Sequence, residues 1–206
     1  MESVAAGVEE GRVAAVAGTP SQQARRHRIV TAALELLETR EYDRIQVRDV
    51  AESANVALGT LYRYFPSKEQ LFAEVLVEWS RTFETSVRSR SRATTDAQRL
   101  KALLRRAAAA FERHPNFFRL LAALERVNDP AVTRPFREYS DHVSGVLEEA
   151  LEDTDRADAA LITRMTLAFL DALLKQWAVG QVSMASVYAQ LDRAVDLVFA
   201  APVRPD

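Results

Sequence analysis

Val47-Arg48-Asp49-Val50-Ala51-Glu52-Ser53-Ala54-Asn55-Val56-Ala57-Leu58-Gly59-Thr60-Leu61-Tyr62-Arg63-Tyr64-Phe65-Pro66-Ser67-Lys68 reads as two short helices joined by a tight turn, then the start of a third. Val47, Val50 and Ala51 recur at helical spacing, and Leu58 and Leu61 repeat the pattern one turn further on. Between the pairs lies Ala54-Asn55-Val56. Asn accepts a left-handed backbone at small cost, so Asn55 suits the turn, and Val56 can plug the angle between the helices. This is the layout of a helix-turn-helix, whose second helix enters the DNA major groove.

The second helix of the pair is short. Pro66 cannot continue it and restricts Phe65 before it. Ser67 is placed to cap the next helix, with Gln70 at the capping-box position. That leaves a recognition helix of about two turns, with Ala57, Gly59, Thr60, Tyr62, Arg63 and Tyr64 as its exposed residues. Thr and Tyr hydroxyls donate to phosphate oxygens, and Arg serves phosphates or base edges. Gly59, lacking a side chain, lets the backbone approach a partner closely.

The run Leu58-Gly59-Thr60-Leu61-Tyr62-Arg63-Tyr64-Phe65-Pro66-Ser67-Lys68-Glu69-Gln70-Leu71 resembles the signature of the TetR family of bacterial transcriptional repressors, with the likeness extending from about Arg26 to Leu76. The resemblance implies an all-α protein of about nine helices. A three-helix, N-terminal helix-turn-helix DNA-binding domain would be followed by a C-terminal helical ligand-binding and dimerisation domain. It implies a homodimer on double-stranded palindromic operator DNA, released by a small effector. By position, Arg48, Thr60, Tyr62, Tyr64 and Lys68 fall where family members commonly touch the operator. Residues 56–68 also resemble regulators of sterol breakdown in actinobacteria, which implies a steroid or its coenzyme-A thioester as effector.

Four positions depart from the family pattern. Glu41 stands where a Gly usually ends the first helix, and a side chain there would resist a positive φ. Gln46 replaces a Thr or Ser cap, Asn55 a turn Gly, and Ala57 a Ser or Thr that caps and touches phosphate.

Composition sets outer bounds. Of 206 residues, 48% are hydrophobic, Gly and Pro are sparse, and there is no Cys. Such a chain can bury a sizeable helical core, and it offers no disulfide, thiolate metal site or cysteine nucleophile. The net charge of −2 excludes a generally basic nucleic-acid coater, so DNA binding would need a local positive face. Between Ser21 and Lys68 basic residues only slightly outnumber acidic ones. With three His, no metal-ligand spacing and no phosphate-cradling glycine loop, catalysis is not expected, and neither is a cofactor or metal. No signal peptide and no apolar run of about 20 residues is evident, so a cytoplasmic protein without a membrane partner is expected.

Along the chain, residues 1–20 read as a mobile N-terminal arm, either a loose leader or an extension into an adjacent groove. The helix-turn-helix domain spans 21–68, its first helix running from Ser21 to Thr39 with Ile29, Ala32, Ala33, Leu36 and Leu37 inward. Arg25, Arg26, His27 and Arg28 cluster near its start, as a phosphate clamp beside the operator or a solvated face, and Arg26 is taken as a DNA contact. A connecting helix covers 69–90, and the Arg88, Arg90, Arg92 run after it reads as a solvated face or loop. A second domain covers 91–201 and a tail 202–206.

Five further helices follow in that second domain: Ala97–Arg113 capped by Thr95 or Asp96, one from an Asn116 cap to Arg126, one from Pro130 to Leu151, Asp155–Gly180 and Met184–Ala200. Phe111, Phe117, Phe118, Leu121, Leu124, Phe136, Tyr139, Met165, Phe169 and Trp177 are candidates for lining an effector pocket, with His114, Asn128 and His142 as polar anchors. An aromatic stripe at helical spacing is more often the mark of a plain core. The helix after Asp155 is apolar on more than one face, which predicts burial on several sides. Leu161, Leu173, Val187, Leu191, Val195 and Val198 are candidates for a dimer interface; the other reading completes a monomeric core. The function these readings favour is a ligand-responsive repressor. The alternatives are an activator of the same fold and a helical adaptor that no longer binds DNA.

Overall fold

A computed structural model describes residues 19–87 and 95–200. Among them are nine α-helices, one 3₁₀ turn and no strand. The arm before Thr19, the arginine run around Arg90 and the tail lie outside the described residues.

The N-terminal unit begins one residue earlier than the sequence pattern predicts. Helix α1 spans Pro20–Thr39, with Pro20 at its first position. The Thr19 side chain accepts from Gln22 N–H while Gln22 accepts from Thr19 N–H at 2.8 Å, a reciprocal cap. Ile29, Ala33 and Leu37 are fully buried. The helix ends at an extended Arg40, and Glu41 has φ −66°. No positive φ is needed there, so the missing Gly costs nothing. A 3₁₀ turn, Tyr42–Arg44, leads into α2, Val47–Ser53. Gln46 is also a better entry than its type suggests, because Asp49 Oδ2 accepts its N–H at 3.2 Å.

Helix α2 closes at Asn55, whose φ of +52° carries the turn, with Val56 N–H bonded back to Ala51 O at 2.9 Å. Helix α3 is Leu58–Tyr64. Extended Phe65 and Pro66 separate it from α4, Lys68–Val87. Ser67 Oγ accepts from Gln70 N–H at 3.1 Å as anticipated. The Gln70 side chain does not return the cap: its Nε2 reaches Asp129 Oδ2 at 3.4 Å, towards the C-terminal helices.

The C-terminal unit comprises α5 (Asp96–Arg113), α6 (Pro115–Leu124), α7 (Pro130–Glu149), α8 (Arg156–Ala178) and α9 (Met184–Ala200). Thr95, not Asp96, caps α5. Asp96 is buried and ties α5 to the α7–α8 connection, accepting from Asp153 N–H at 3.1 Å and the Thr154 hydroxyl at 2.6 Å, and pairing with Arg99. Burial opposes its charge, but the Thr154 and Asp153 donors and the Arg99 guanidinium overcome this and hold the carboxyl below its ordinary range. Asn116 does not cap α6. Pro115 takes the first position, and Asn116 Nδ2 donates to Leu37 O of α1 at 3.1 Å. Ser183 caps α9 through Ser186 N–H, and Gly180, at φ +75°, ends the turn after α8.

One hydrophobic core runs through both units. Helix α4 is its spine: it packs on α1 on one side and most extensively on α7 on the other. Helices α5 and α9 pack together, and α8 lies against α5, α7 and α9.

Candidate nucleic-acid interface and ligand cavity

At 100° per residue, α3 turns Leu61 inward, where it is fully buried, and holds Thr60 and Tyr64 half-buried along one flank of it. The opposite arc carries Leu58, Gly59, Tyr62 and Arg63, all exposed, with Ala57 just before. Leu58, expected inward with Leu61, is 43% exposed. In so short a helix the two residues point about 60° apart, and the core reaches only Leu61. A Cβ built on Gly59 meets nothing within 4 Å, so nothing in this chain requires the glycine. Arg48 projects from the first turn of α2, exposed, with only a 3.8 Å approach to Asp49.

Two anticipated phosphate contacts are engaged within the chain. Arg26 pairs with Glu74 at 2.6 Å and lies 5.0 Å over the Phe65 ring, stapling α1 to α4, while His27 and Arg28 stay exposed. Lys68 donates to Tyr42 O at 2.5 Å and sits 4.1 Å over the Tyr42 ring. Burial there pushes its ammonium below the ordinary lysine value.

In the C-terminal unit a cavity of about 330 Å³ opens between α4, α5, α6, α7 and α8. Phe111, Phe118, Leu121, Phe136 and Tyr139 line it, five of the ten residues read from the sequence. Of the other five, Phe117 and Leu124 are core, Trp177 packs against the core, and Met165 and Phe169 are exposed on the outside of α8. His114, Asn128 and His142 do not line the cavity; its polar groups are Ser80, Glu125, Tyr139, Ser140, Ser144, Arg164 and Asp171. Trp79 closes the α4 side, stacked 4.7 Å from Phe117 and tilted 5.1 Å from Phe111. Sequence reading missed Arg164 and Asp171 because a charged residue in a helix reads as solvated. Their signal is the spacing: with Leu167 and Leu174 they form one i, i+3, i+7, i+10 stripe.

Helix α8 has three working faces. Thr163, Thr166, Leu170 and Leu173 enter the core; Arg164, Leu167, Asp171 and Leu174 face the cavity; Leu161, Met165, Ala168, Phe169 and Ala172 are exposed. Leu161, Met165 and Phe169 are 48%, 54% and 37% exposed, and Leu197 of α9 is 56% exposed. Among the anticipated interface residues, only Leu161 lies on this outer surface. Leu173, Val187, Leu191 and Val195 are buried within the protomer and Val198 is half-buried. These residues repeat on the inward side of α8 and α9, and periodicity alone does not distinguish core from interface.

Residues 29–75 match the profile of bacterial regulatory proteins of the tetR family, and residues 93–198 match a tetracyclin repressor-like C-terminal domain. The chain is 29% identical over 190 residues to the HTH-type transcriptional repressor KstR of Mycolicibacterium smegmatis, covering 91% of this chain and 93% of the relative. The KstR of Mycobacterium tuberculosis is 29% identical over 183 residues, 88% of this chain and 83% of that one. The HTH-type transcriptional activator FasR of M. smegmatis is 31% identical over 109 residues, 52% of this chain and 50% of that one. Among solved structures, a TetR transcriptional regulator from Rhodococcus sp. RHA1 superposes with a TM-score of 0.76 at 24% identity, covering 90% of this chain and all of that one. The regulator FadR from Bacillus subtilis, solved in complex with stearoyl-CoA, has a TM-score of 0.60 at 19% identity, covering 82% and 96%.

Proposed function

From the premise that this chain belongs to the TetR family of bacterial transcriptional regulators, we propose that it is a repressor that binds a palindromic operator as a homodimer and leaves it on taking up a small hydrophobic effector. The observation that carries this reading is the pairing of an exposed recognition arc with a separate apolar cavity, joined by α4 and α6. Leu58, Gly59, Tyr62 and Arg63 form a surface that fits a major groove, Arg48 stands exposed on α2, and open Gly59 permits close backbone approach. Tyr62 and Arg63 supply donors, while Thr60, Tyr64 and Ala57 flank the arc. Arg26 and Lys68 act at its edges, where they fix α1 and the 3₁₀ turn against α4 and leave His27, Arg28 and Arg48 to meet phosphates.

The outer apolar face of α8 with Leu197 of α9 supports a two-fold contact with a second copy. Two recognition helices related by that axis would match a palindrome. Cavity and head are joined through α6, whose Phe118 and Leu121 line the cavity while Asn116 and Arg119 hold Leu37 O and Glu41. An effector that binds better to the state with displaced α6 shifts the heads away from their DNA spacing. The recognition-helix resemblance suggests a steroid or its coenzyme-A thioester as effector.

The test is selection of genomic fragments by the purified protein at defined salt, with Arg48→Ala/Tyr62→Phe as control. A shared palindrome, bound at least about tenfold more weakly by the control, is expected. No enrichment above the control would overturn the repressor mechanism. The partial likeness to the activator FasR favours one second reading, activation with the same parts. The neighbouring gene's transcript falls on deletion of an activator and rises on deletion of a repressor.

A further inference from the structure

The cavity is apolar along most of its wall, yet α7 and α8 place polar groups at its two ends. Near one end Arg164 stands at the rim, exposed to solvent, with no ion pair or hydrogen bond among the described residues. A guanidinium beside apolar surface with no carboxylate of its own is a ready partner for an anion. Two turns further along α8, about 10 Å by helical rise, stands Asp171. Its Oδ2 is held by Lys175 at 2.8 Å, while Oδ1 is buried and meets no donor. A buried acceptor left open is costly, and an incoming hydroxyl relieves it.

Tyr139 feels the charge of Glu125, and Lys175 bridges Glu125 and Asp171, so Tyr139 belongs to the Asp171 end of the cavity. The Tyr139 hydroxyl has no hydrogen bond among the described residues. Burial, reinforced by Glu125, raises its pKa and keeps it a neutral donor. One end of the cavity therefore suits an anion and the other a hydroxyl, with apolar surface between them.

We propose that the effector is a hydroxylated hydrophobic acid. Its anionic group lies on Arg164, its apolar body against Phe111, Phe118 and Leu167, and its hydroxyl between Tyr139 and Asp171. The proposal rests on the reading of this cavity as the effector site. A free carboxylate and the phosphates of a thioester share the anionic chemistry, so both forms are tested.

The experiment is calorimetric titration of the intact protein with two matched series, one rigid and one slender. The rigid series is lithocholic acid, cholanic acid lacking the hydroxyl, and lithocholic acid methyl ester lacking the charge. The slender series is ω-hydroxydecanoic acid, decanoic acid and methyl ω-hydroxydecanoate. The coenzyme-A thioester of each hydroxy acid is added to its series. In at least one series the hydroxy acid or its thioester binds about tenfold or more tighter than both truncated partners. Arg164→Gln abolishes the preference over the ester, and Asp171→Leu abolishes the preference over the deoxy acid. Should Asp171→Leu fail to fold, Tyr139→Phe reads the same end.

Equal affinities within both series, or no binding in either, overturn the proposal. Release of DNA is scored separately. Selective binding that leaves the operator complex intact supports the ligand chemistry and overturns the effector reading.

Discussion

Leu58 shows how much one side chain can decide. It lies in the first turn of α3, 43% exposed, between Ala57 and open Gly59. A surface leucine in a two-turn helix adds nothing to the fold, but in a major groove it offers an apolar contact for a thymine methyl. Leu58→Ala is therefore expected to leave the melting temperature within about two degrees, because an exposed substitution changes stability by at most about 0.5 kcal/mol. It should relax the preference for thymine at one position of each half-site by about fivefold to tenfold. Operator variants carrying uracil in place of thymine, titrated against both proteins, check this: the wild type loses affinity for uracil and the variant does not.

Among the elements, α6 has the most demanding role. It is only ten residues long, starts at Pro115 and carries two sets of contacts on two sides. Phe118 and Leu121 look into the cavity, while Asn116 Nδ2 bonds Leu37 O and Arg119 pairs with Glu41 at 2.7 Å. The Arg119–Glu41 pair is half exposed and contributes little stability by itself. Its weight lies in coupling. Asn116→Ala/Arg119→Ala should leave effector affinity and effector-free operator affinity each within about threefold of wild type. The effector-induced loss of operator affinity should shrink, from the factor of about 5–150 usual for allosteric coupling towards 1. A full response in the double variant, measured by operator titration with and without effector, would place the coupling elsewhere, along α4.

At the scale of the whole molecule, the outer side of α8 and α9 is an uncovered apolar surface among the described residues. Leu161, Met165 and Phe169 recur every four residues of α8 with small Ala168 and Ala172 between, and Leu197 of the neighbouring α9 is exposed as well. A contiguous apolar stripe of this kind marks an interaction surface, and a second copy places the same stripe opposite itself. Phe169→Glu should move the protein from dimer to monomer in sedimentation or light scattering. Operator affinity should fall at least about tenfold, because two heads no longer bind as one body. Helicity should be retained, since Phe169 is not core. A Phe169→Glu protein that remains a dimer and binds DNA normally would remove this face from the interface.

No helix among the described residues is long and apolar enough to cross a membrane. The all-α architecture, the turn at Asn55, the stop at Pro66 and the cap at Ser67 follow from local chemistry, and each was legible in the chain before the fold. These features depend on φ preference, a missing N–H or a nearby hydroxyl, which act within a few residues. The family signature around Leu58 to Leu71 was legible for the same reason, being one contiguous element pair.

Only the tertiary structure decided which apolar residues are core, cavity or outer surface. Met165 and Phe169 left the pocket for the outside, Leu173, Val187, Leu191 and Val195 moved from interface to core, and Arg164 and Asp171 joined the cavity. The same is true of Arg26, Lys68 and Asn116, whose partners Glu74, Tyr42 and Leu37 lie tens of residues away. Periodicity records that a helix face is apolar, whereas what covers that face depends on where the other helices pack. On α8 three faces are served at once, so its pattern could not be assigned until its neighbours were in place.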